Sequence, residues 1–275
     1  MEKGITSADG TRLALHYWKA EPERAMLLIL HGLGEYGRKY ISLAKCLNAQ
    51  GVSVAGLDWR GFGKSEGTRG HANSMLELEQ DLQAGLKATK DLAKDDCPVF
   101  LMGHSMGGNI LLHAVHAGLI QADGMIASSP YIRNSNQKGK PGKYILFLHQ
   151  IFPKYQLKMD IRRIEKGKKP EISNSRKDPY NHKLVSLRLM HMLEKSASKL
   201  NQASGGMGLP LLAIHDRRDP LTDYRGTADY IERNGGRLIS YDTGEHTLHR
   251  GATKEDFCSQ ILQWMESATE TMKQR

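Results

Sequence analysis

The sequence predicts an α/β fold, with a mostly parallel central sheet covered by helices on both faces. Three observations carry that expectation. Continuous apolar runs at Ala25–Leu30, Val52–Leu57, Pro98–Met102, Gly124–Ala127 and Leu209–Ile214 read as buried strands. Between them lie stretches with apolar residues at helical spacing, and that alternation is the pattern of a parallel sheet sandwiched by helices. The chain has 275 residues, 39% hydrophobic and 25% charged, which suits one domain with a sizeable core.

The elements follow in order. Leu13, Leu15 and Tyr17 alternate and predict a half-exposed strand before the buried run Ala25–Leu30. Tyr40–Gln50 places Ile41, Leu43, Ala44 and Leu47 at helical spacing, and Gly51 closes it. Val52–Leu57 is the next strand, and Asp58–His71 is a Gly-rich loop. Ser74-Met75-Leu76-Glu77 fits a capping box that opens a helix with Leu78, Leu82 and Leu86 on one face. The strand Pro98–Met102, a helix over Asn109–Ala117 and the strand Gly124–Ala127 follow. After residue 200 the alternation resumes with a strand at Leu209–Ile214, a helix at Thr222–Arg233 and a strand at Leu238–Tyr241. The last helix begins near Thr253 and buries Phe257, Ile261, Trp264 and Met265.

Charge is unevenly spread. Residues 131–200 hold 17 Lys/Arg against 5 Asp/Glu, while the rest of the chain holds 22 against 25. The basic segment also breaks the strand–helix rhythm. It therefore reads as an insertion, leaving residues 1–130 and 201–275 as the core domain. Ligands of open α/β sheets bind beyond the carboxyl ends of the strands, where such an insertion roofs the site. Cys46, Cys97 and Cys258 are odd in number and widely spaced, without a Cys-x-x-Cys pair. That pattern predicts neither a disulfide framework nor a metal site, and points to a reducing, cytoplasmic setting. The N-terminal residues lack the apolar stretch of a signal peptide. The longest mainly apolar runs, Ala25–Leu30 and Tyr144–Phe152, are too short to span a bilayer.

The central chemical motif is Gly103-His104-Ser105-Met106-Gly107, followed by Gly108. A bare G-x-S-x-G occurs by chance in roughly one in five or six chains of such composition, so its context decides. A strand runs directly into it and an apolar helix runs out, as a nucleophile elbow requires. The alternative is a serine in an ordinary Gly-rich turn. A serine hydroxyl needs a base, and the base needs a carboxylate to set its tautomer. In this architecture the order is Ser, then Asp or Glu, then His. Asp219 lies just beyond the strand Leu209–Ile214, and His246 just beyond Leu238–Tyr241. Asp216 and Asp223 compete with Asp219 as surface or capping residues, and His249 competes with His246 as a neighbour of the site. His16, His113 and His191 fit no constellation. The expected oxyanion donors are the backbone N–H groups of Met106, after the nucleophile, and Leu33, in His31-Gly32-Leu33-Gly34.

Taken together, the chain resembles the monoacylglycerol lipase and lysophospholipase family of the α/β-hydrolase superfamily, the serine aminopeptidase S33-like hydrolases. The resemblance runs almost end to end, through His31-Gly32-Leu33-Gly34-Glu35, Asp58–Gly67, Gly103–Gly108, Asp219-Pro220-Leu221-Thr222-Asp223 and Glu245–His249. It implies an α/β-hydrolase fold with an inserted cap (lid) at 131–200. It also implies the triad Ser105, Asp219 and His246 with Leu33 and Met106 at the oxyanion, and an architectural role for Asp58–Gly67. Two features depart from the pattern: Asp216, where relatives often carry a small residue, and the strongly basic cap.

Within that cap, Tyr144–Phe152 is apolar and flanked by Lys143 and Lys154, with Lys158, Arg162, Arg163, Lys166, Lys168 and Lys169 downstream. Apolar side chains between cations suit a surface that meets an anionic membrane; the alternative is a soluble cap whose charges are simply solvated. Nucleic acid is not an expected partner, because the cations do not interleave with aromatics. The expected chemistry is hydrolysis of a single-chain lipid ester through an acyl-enzyme, without metal or organic cofactor. Peptidase or acyltransferase chemistry on the same fold, and a catalytically silent receptor, are the competing readings.

Overall fold

The computed structural model describes residues 1–135, 148–159 and 178–274. Its main sheet has eight strands in the order β1-β2-β4-β3-β5-β6-β9-β10. These are β1 (Glu2–Thr6), β2 (Arg12–Trp18), β3 (Ala25–Leu30), β4 (Val52–Leu57), β5 (Val99–His104), β6 (Gly124–Ser128), β9 (Leu211–Asp216) and β10 (Arg237–Tyr241). From β4 to β10 every neighbour is parallel, while β2 runs antiparallel to both β1 and β4. A small antiparallel pair, β7 (Gln156–Lys158) and β8 (Leu184–Ser186), lies within the inserted region. The helices are α1 (Ile41–Asn48), α2 (Met75–Lys90), α3 (Met106–His116), α4 (Leu187–Leu200), α5 (Tyr224–Asn234) and α6 (Lys254–Lys273).

Side-chain alternation along the parallel strands builds two cores. Met26, Leu28 and Leu30 of β3 and Val99 and Leu101 of β5 face one cluster with Leu82 of α2, Ile110 of α3 and Leu193 of α4. Ala25, Leu27 and Ile29 of β3 and Phe100 and Met102 of β5 face the other, with Leu47 of α1 and Phe257, Ile261 and Met265 of α6. This is why β3 is apolar and buried at every position: each residue has a helix layer to meet.

Some elements differ from the sequence reading. Strand β1 went unpredicted because Glu-Lys-Gly-Ile-Thr is an almost wholly exposed edge strand without an apolar pattern. Strand β2 is buried on both faces rather than half exposed: Leu13, Leu15 and Tyr17 enter one core, and His16 reaches buried Asp58 with Nε2 3.1 Å from its carboxylate. Helix α3 begins at Met106, directly after the turn, not at Asn109. The capping box at Ser74 forms only in part. Glu77 N–H donates to Ser74 Oγ (3.2 Å), but the Glu77 carboxylate accepts from Asn73 N (2.8 Å), one residue earlier than the motif predicts.

The cysteine expectation is overturned. Cys46 of α1 and Cys258 of α6 form a disulfide, with Cα atoms 6.6 Å apart at a sequence separation of 212. Sequence spacing says nothing about such a pair, because two helices on one face of the sheet bring the thiols together. The bond removes the cysteine argument for a reducing compartment. No helix among the described residues is long and apolar enough to cross a membrane.

Candidate active site

The parallel register aligns the strands so that their carboxyl ends point the same way, with β9 and β10 reaching three residues further than β3. Leu30, Gly103, Ala127, Ala213 and Leu238 stand side by side across β3, β5, β6, β9 and β10. The loops that follow these strands, bearing Gly32–Leu33, Ser105, Ser129, Asp219 and His246, therefore emerge at one end of the sheet.

Ser105 occupies the turn between β5 and α3 with φ 52° and ψ −112°. A non-glycine residue rarely adopts that conformation, and it persists only where the surroundings dictate it. They do so here: Ser105 N–H donates to Ser128 O (3.0 Å), and Ser105 O accepts from Asn109 N (3.0 Å) and Tyr131 N (3.1 Å). Glycine is required at Gly107, where an added Cβ would lie 2.2 Å from the carbonyl oxygen of Leu30. A Cβ on Gly32 would lie 3.3 Å from Ser105 Cβ, so the loop after β3 passes directly beside Ser105. Leu33 follows on that loop, half-buried, and buried Met106 opens α3.

Asp219 and His246 meet. His246 Nδ1 lies 2.7 Å from Asp219 Oδ2. The carboxylate also accepts from Leu221 N (2.7 Å), Thr222 N (3.0 Å) and Thr222 Oγ1 (2.9 Å). Burial works to raise the Asp219 carboxyl, but the His246 charge and the hydrogen bonds from His215 and His246 outweigh it and hold it far below the usual range. Ionised, it only accepts, so His246 carries its proton on Nδ1, which leaves Nε2 as the ring nitrogen able to accept one. Ser129 Oγ donates to the backbone carbonyl of His246 (3.1 Å) and ties that loop to the end of β6.

The rivals have other partners. Asp216 accepts from Arg218 N (2.8 Å), Thr243 N (2.7 Å) and Thr243 Oγ1 (2.7 Å), which binds the end of β9 to the loop after β10. Asp223 caps α5 by accepting from Arg225 N. The His249 ring lies flat on Tyr40, 4.3 Å between centroids. Asp58 is fully buried and accepts from Gly37 N (2.6 Å) and Lys64 N (2.9 Å), a scaffold within the Asp58–Gly67 stretch. His113 faces Glu79 at 3.3 Å, and the His191 ring lies 3.8 Å from that of His149.

Sequence reasoning missed several participants. His215 approaches Asp219 Oδ2 at 3.3 Å and is itself held by Thr227 Oγ1 at 2.7 Å. Thr222 was legible as the third residue after Asp219, the position from which a hydroxyl turns back onto a carboxylate. His104 is buried, with its ring 4.8 Å from that of His246. Burial, then repulsion from His246, pushes the His104 imidazole down to about 3, so it stays neutral beside His246. Among the described residues no group of three or more His, Cys, Asp or Glu has the geometry to hold a metal.

Residues 21–252 match the family described as Serine aminopeptidase, S33. The chain belongs to that family. A monoglyceride lipase of Rattus norvegicus is 29% identical over 90% of this chain and 83% of its own length. An uncharacterized abhydrolase domain-containing protein of Dictyostelium discoideum is 28% identical over 98% of this chain, which spans only 29% of that relative's length. The crystal structure of a soluble variant of monoglyceride lipase from Saccharomyces cerevisiae, in complex with a substrate analog, superposes with a TM-score of 0.84. It covers 96% of this chain and 94% of its own at 21% identity. The fold is that of the α/β-hydrolases, and the chain is a monoglyceride-lipase-like member of this S33 family, on the carboxylic ester hydrolase side of the fold's chemistry.

Proposed function

We propose that the chain hydrolyses the ester bond of single-chain lipids, monoacylglycerol foremost, with Ser105 as nucleophile, His246 as base and Asp219 as its orienting carboxylate. The observation that carries this reading is the convergence at one sheet end of an elbow serine at φ 52° and a His246–Asp219 pair at 2.7 Å. His246 takes the Ser105 proton as Oγ attacks the ester carbonyl, and the N–H groups of Leu33 and Met106 hold the oxyanion. His246 then protonates the departing alcohol. Water, deprotonated by the same imidazole, releases the fatty acid and restores Ser105. No step calls for a metal or a cofactor.

The lipid assignment draws on the rat relative and on the inserted region, 131–200, read as a cap. That region departs beside the nucleophile, where Tyr131 N–H donates to Ser105 O. It returns against the loop after β3: Asp178 accepts from Tyr36 OH (2.9 Å) and Lys39 Nζ (2.7 Å), and the His182 carbonyl oxygen lies 2.7 Å from where a Cβ on Gly34 would fall. Between these ends, Ile151, Phe152 and Tyr155 are 61%, 57% and 61% exposed, next to exposed Lys154 and Lys158. Apolar side chains flanked by cations suit contact with an anionic lipid surface, each nearby cation adding about 1 kcal/mol. Lys143, Tyr144–Phe147, Arg162, Arg163, Lys166, Lys168 and Lys169 lie outside the described residues.

Fatty-acid release from a panel tests the reading: a monoacylglycerol, zwitterionic and anionic lysophospholipids and an aminoacyl amide, with Ser105→Ala as blank. Monoacylglycerol is expected to be cleaved fastest. An anionic lysophospholipid cleaved faster would move the cap cations from docking to head-group recognition. A Ser105→Ala variant as active as the parent would refute the nucleophile. A folded parent that a fluorophosphonate does not label would favour a silent receptor.

A further inference from the structure

We infer that Glu35 and Arg250 form a positioning clamp, which holds the oxyanion loop in register with the loop that carries His246. The inference rests on the triad reading above. Glu35 closes the segment His31–Glu35 after β3, and Arg250 stands four residues beyond His246. They are 215 residues apart in sequence, yet Arg250 Nη2 donates to Glu35 Oε1.

The two carboxylate oxygens serve different loops. While Oε1 takes Arg250, Oε2 accepts from Gly32 N (3.3 Å) and Tyr40 OH (2.8 Å). Gly32 is the residue whose Cα passes beside Ser105, and its C-terminal peptide bears the Leu33 N–H. Holding Gly32 N–H on Glu35 therefore sets the tilt of the next peptide, whose N–H must meet the oxyanion. On the other side, Arg250 Nε donates to His249 Nε2 (3.1 Å). The His249 ring packs on Tyr40 and stands 5.1 Å from the His104 ring, which stands 4.8 Å from His246. A contiguous set of rings thus joins the ion pair to the base. Behind it, the Cys46–Cys258 disulfide links α1 and α6, the helices that follow these same two loops.

The chemistry fits positioning rather than catalysis. Burial works to raise the Glu35 carboxyl, but Arg250, with the neighbouring His104 and His249 and the hydrogen bond from Tyr40, together outweigh it and hold the group well below the usual range. A largely buried ion pair is a weak stabiliser compared with apolar packing, and its best-attested use is to fix register. Neither group touches the reacting atoms in the mechanism above. An error of about 1 Å in the placement of a reacting group is enough to cost a rate factor near a hundred.

The test is kcat and KM on a short-chain p-nitrophenyl ester for the parent, Glu35→Gln, Arg250→Met and Arg250→Lys. Each rate is normalised to sites titrated to completion with a fluorophosphonate. Arg250→Met is expected to lower per-site kcat by about 10- to 100-fold, with KM within about two-fold of the parent. Glu35→Gln, which keeps the shape and loses the charge, should fall between. Arg250→Lys should recover part of the loss, because it restores the charge without the planar fork. A purely structural pair would shrink the titratable fraction and leave per-site kcat at the parent value, and that result overturns the clamp. Should Glu35→Gln fail to fold, Arg250→Met decides alone, since the Arg250 side chain is 35% exposed. A parent that neither labels nor turns over removes the triad reading and the clamp with it; an active parent with unchanged variants removes only the clamp.

Discussion

Asp219 accepts from two backbone N–H groups, the Thr222 hydroxyl and the His246 imidazole, so its oxygens are committed before any substrate arrives. Asp219→Asn puts an amide where His246 needs an acceptor and favours the wrong tautomer. Its per-site kcat is expected to drop by about 10⁴-fold, with KM little changed. Thr222→Val removes one donor and leaves the shape; a single hydrogen bond to a charged group predicts a loss of about ten-fold in kcat. Both effects are read by steady-state kinetics on a soluble ester. The carboxylates near β9 also show how far residue-level reading reaches. Chain order brings Asp219 forward, but Asp216 satisfies the same order. Only the bonds from Arg218, Thr243 and Gly244 reveal Asp216 as a tie between two loops. His249 matches His246 as a loop histidine beyond β10, and only the tertiary structure shows its ring flat on Tyr40. Asp219 is engaged by His246 and Glu35 by Arg250, which leaves these two carboxylates poor anchors for a peptide ammonium.

At the scale of elements, the elbow is a strand and a helix joined without slack. Gly103, Gly107 and Gly108 each sit where a Cβ would press on backbone, Gly107 most severely against Leu30 O. Gly107→Ala must displace the start of α3 from β3, at a cost of about 1–3 kcal/mol in stability. A lower urea midpoint would show it, with reduced fluorophosphonate labelling as α3 carries Met106 away. The disulfide acts on a different pair, α1 and α6. Closing so long a loop constrains the unfolded chain, so Cys46→Ala is expected to cost about 2–5 kcal/mol. Urea titration of the oxidised parent against Cys46→Ala checks this, and the two should converge under strong reductant. Convergence without reductant would mean that the two thiols are not joined in solution. The disulfide is not visible in the spacing of residues. The glycines are legible as a motif, but the Leu30 carbonyl that makes Gly107 indispensable comes from a strand 77 positions earlier in the chain.

For the whole molecule, buried ionisable groups set the acid limit. His104 and His249 are both buried, and burial leads the causes that hold their imidazoles below the ordinary range, His104 down to about 3. The unfolded chain takes up protons at both near pH 6.5, while the folded chain does not. Stability is therefore lost as pH falls from about 6.5, at about 1.4 kcal/mol per pH unit for each histidine. Asp219 and Glu35, held low in the fold, keep their contribution above the unfolded carboxyl range near pH 4 and lose it below. Urea unfolding at pH 7.5 and pH 5 is expected to show a clear loss in the parent. His104→Gln should show a shallower slope, and an unchanged slope would mean that His104 is protonated in the folded state.

The alternation of apolar runs with amphipathic stretches by itself determined the α/β class. Period and burial are written in the residues, and a parallel sheet between helix layers is the solution that buries every strand position. The Gly-His-Ser-Met-Gly context and the order Ser105, Asp219, His246 likewise brought the candidate triad into view, because loops after parallel strands emerge at one sheet end. Everything that depends on separation in sequence waited for the tertiary structure: the pairing of His246 with Asp219 rather than Asp216, the Cys46–Cys258 bond and the Glu35–Arg250 pair. These contacts are made between segments far apart in the chain. No local propensity records them, and only the register of the sheet and the packing of its helices decide which distant side chains meet.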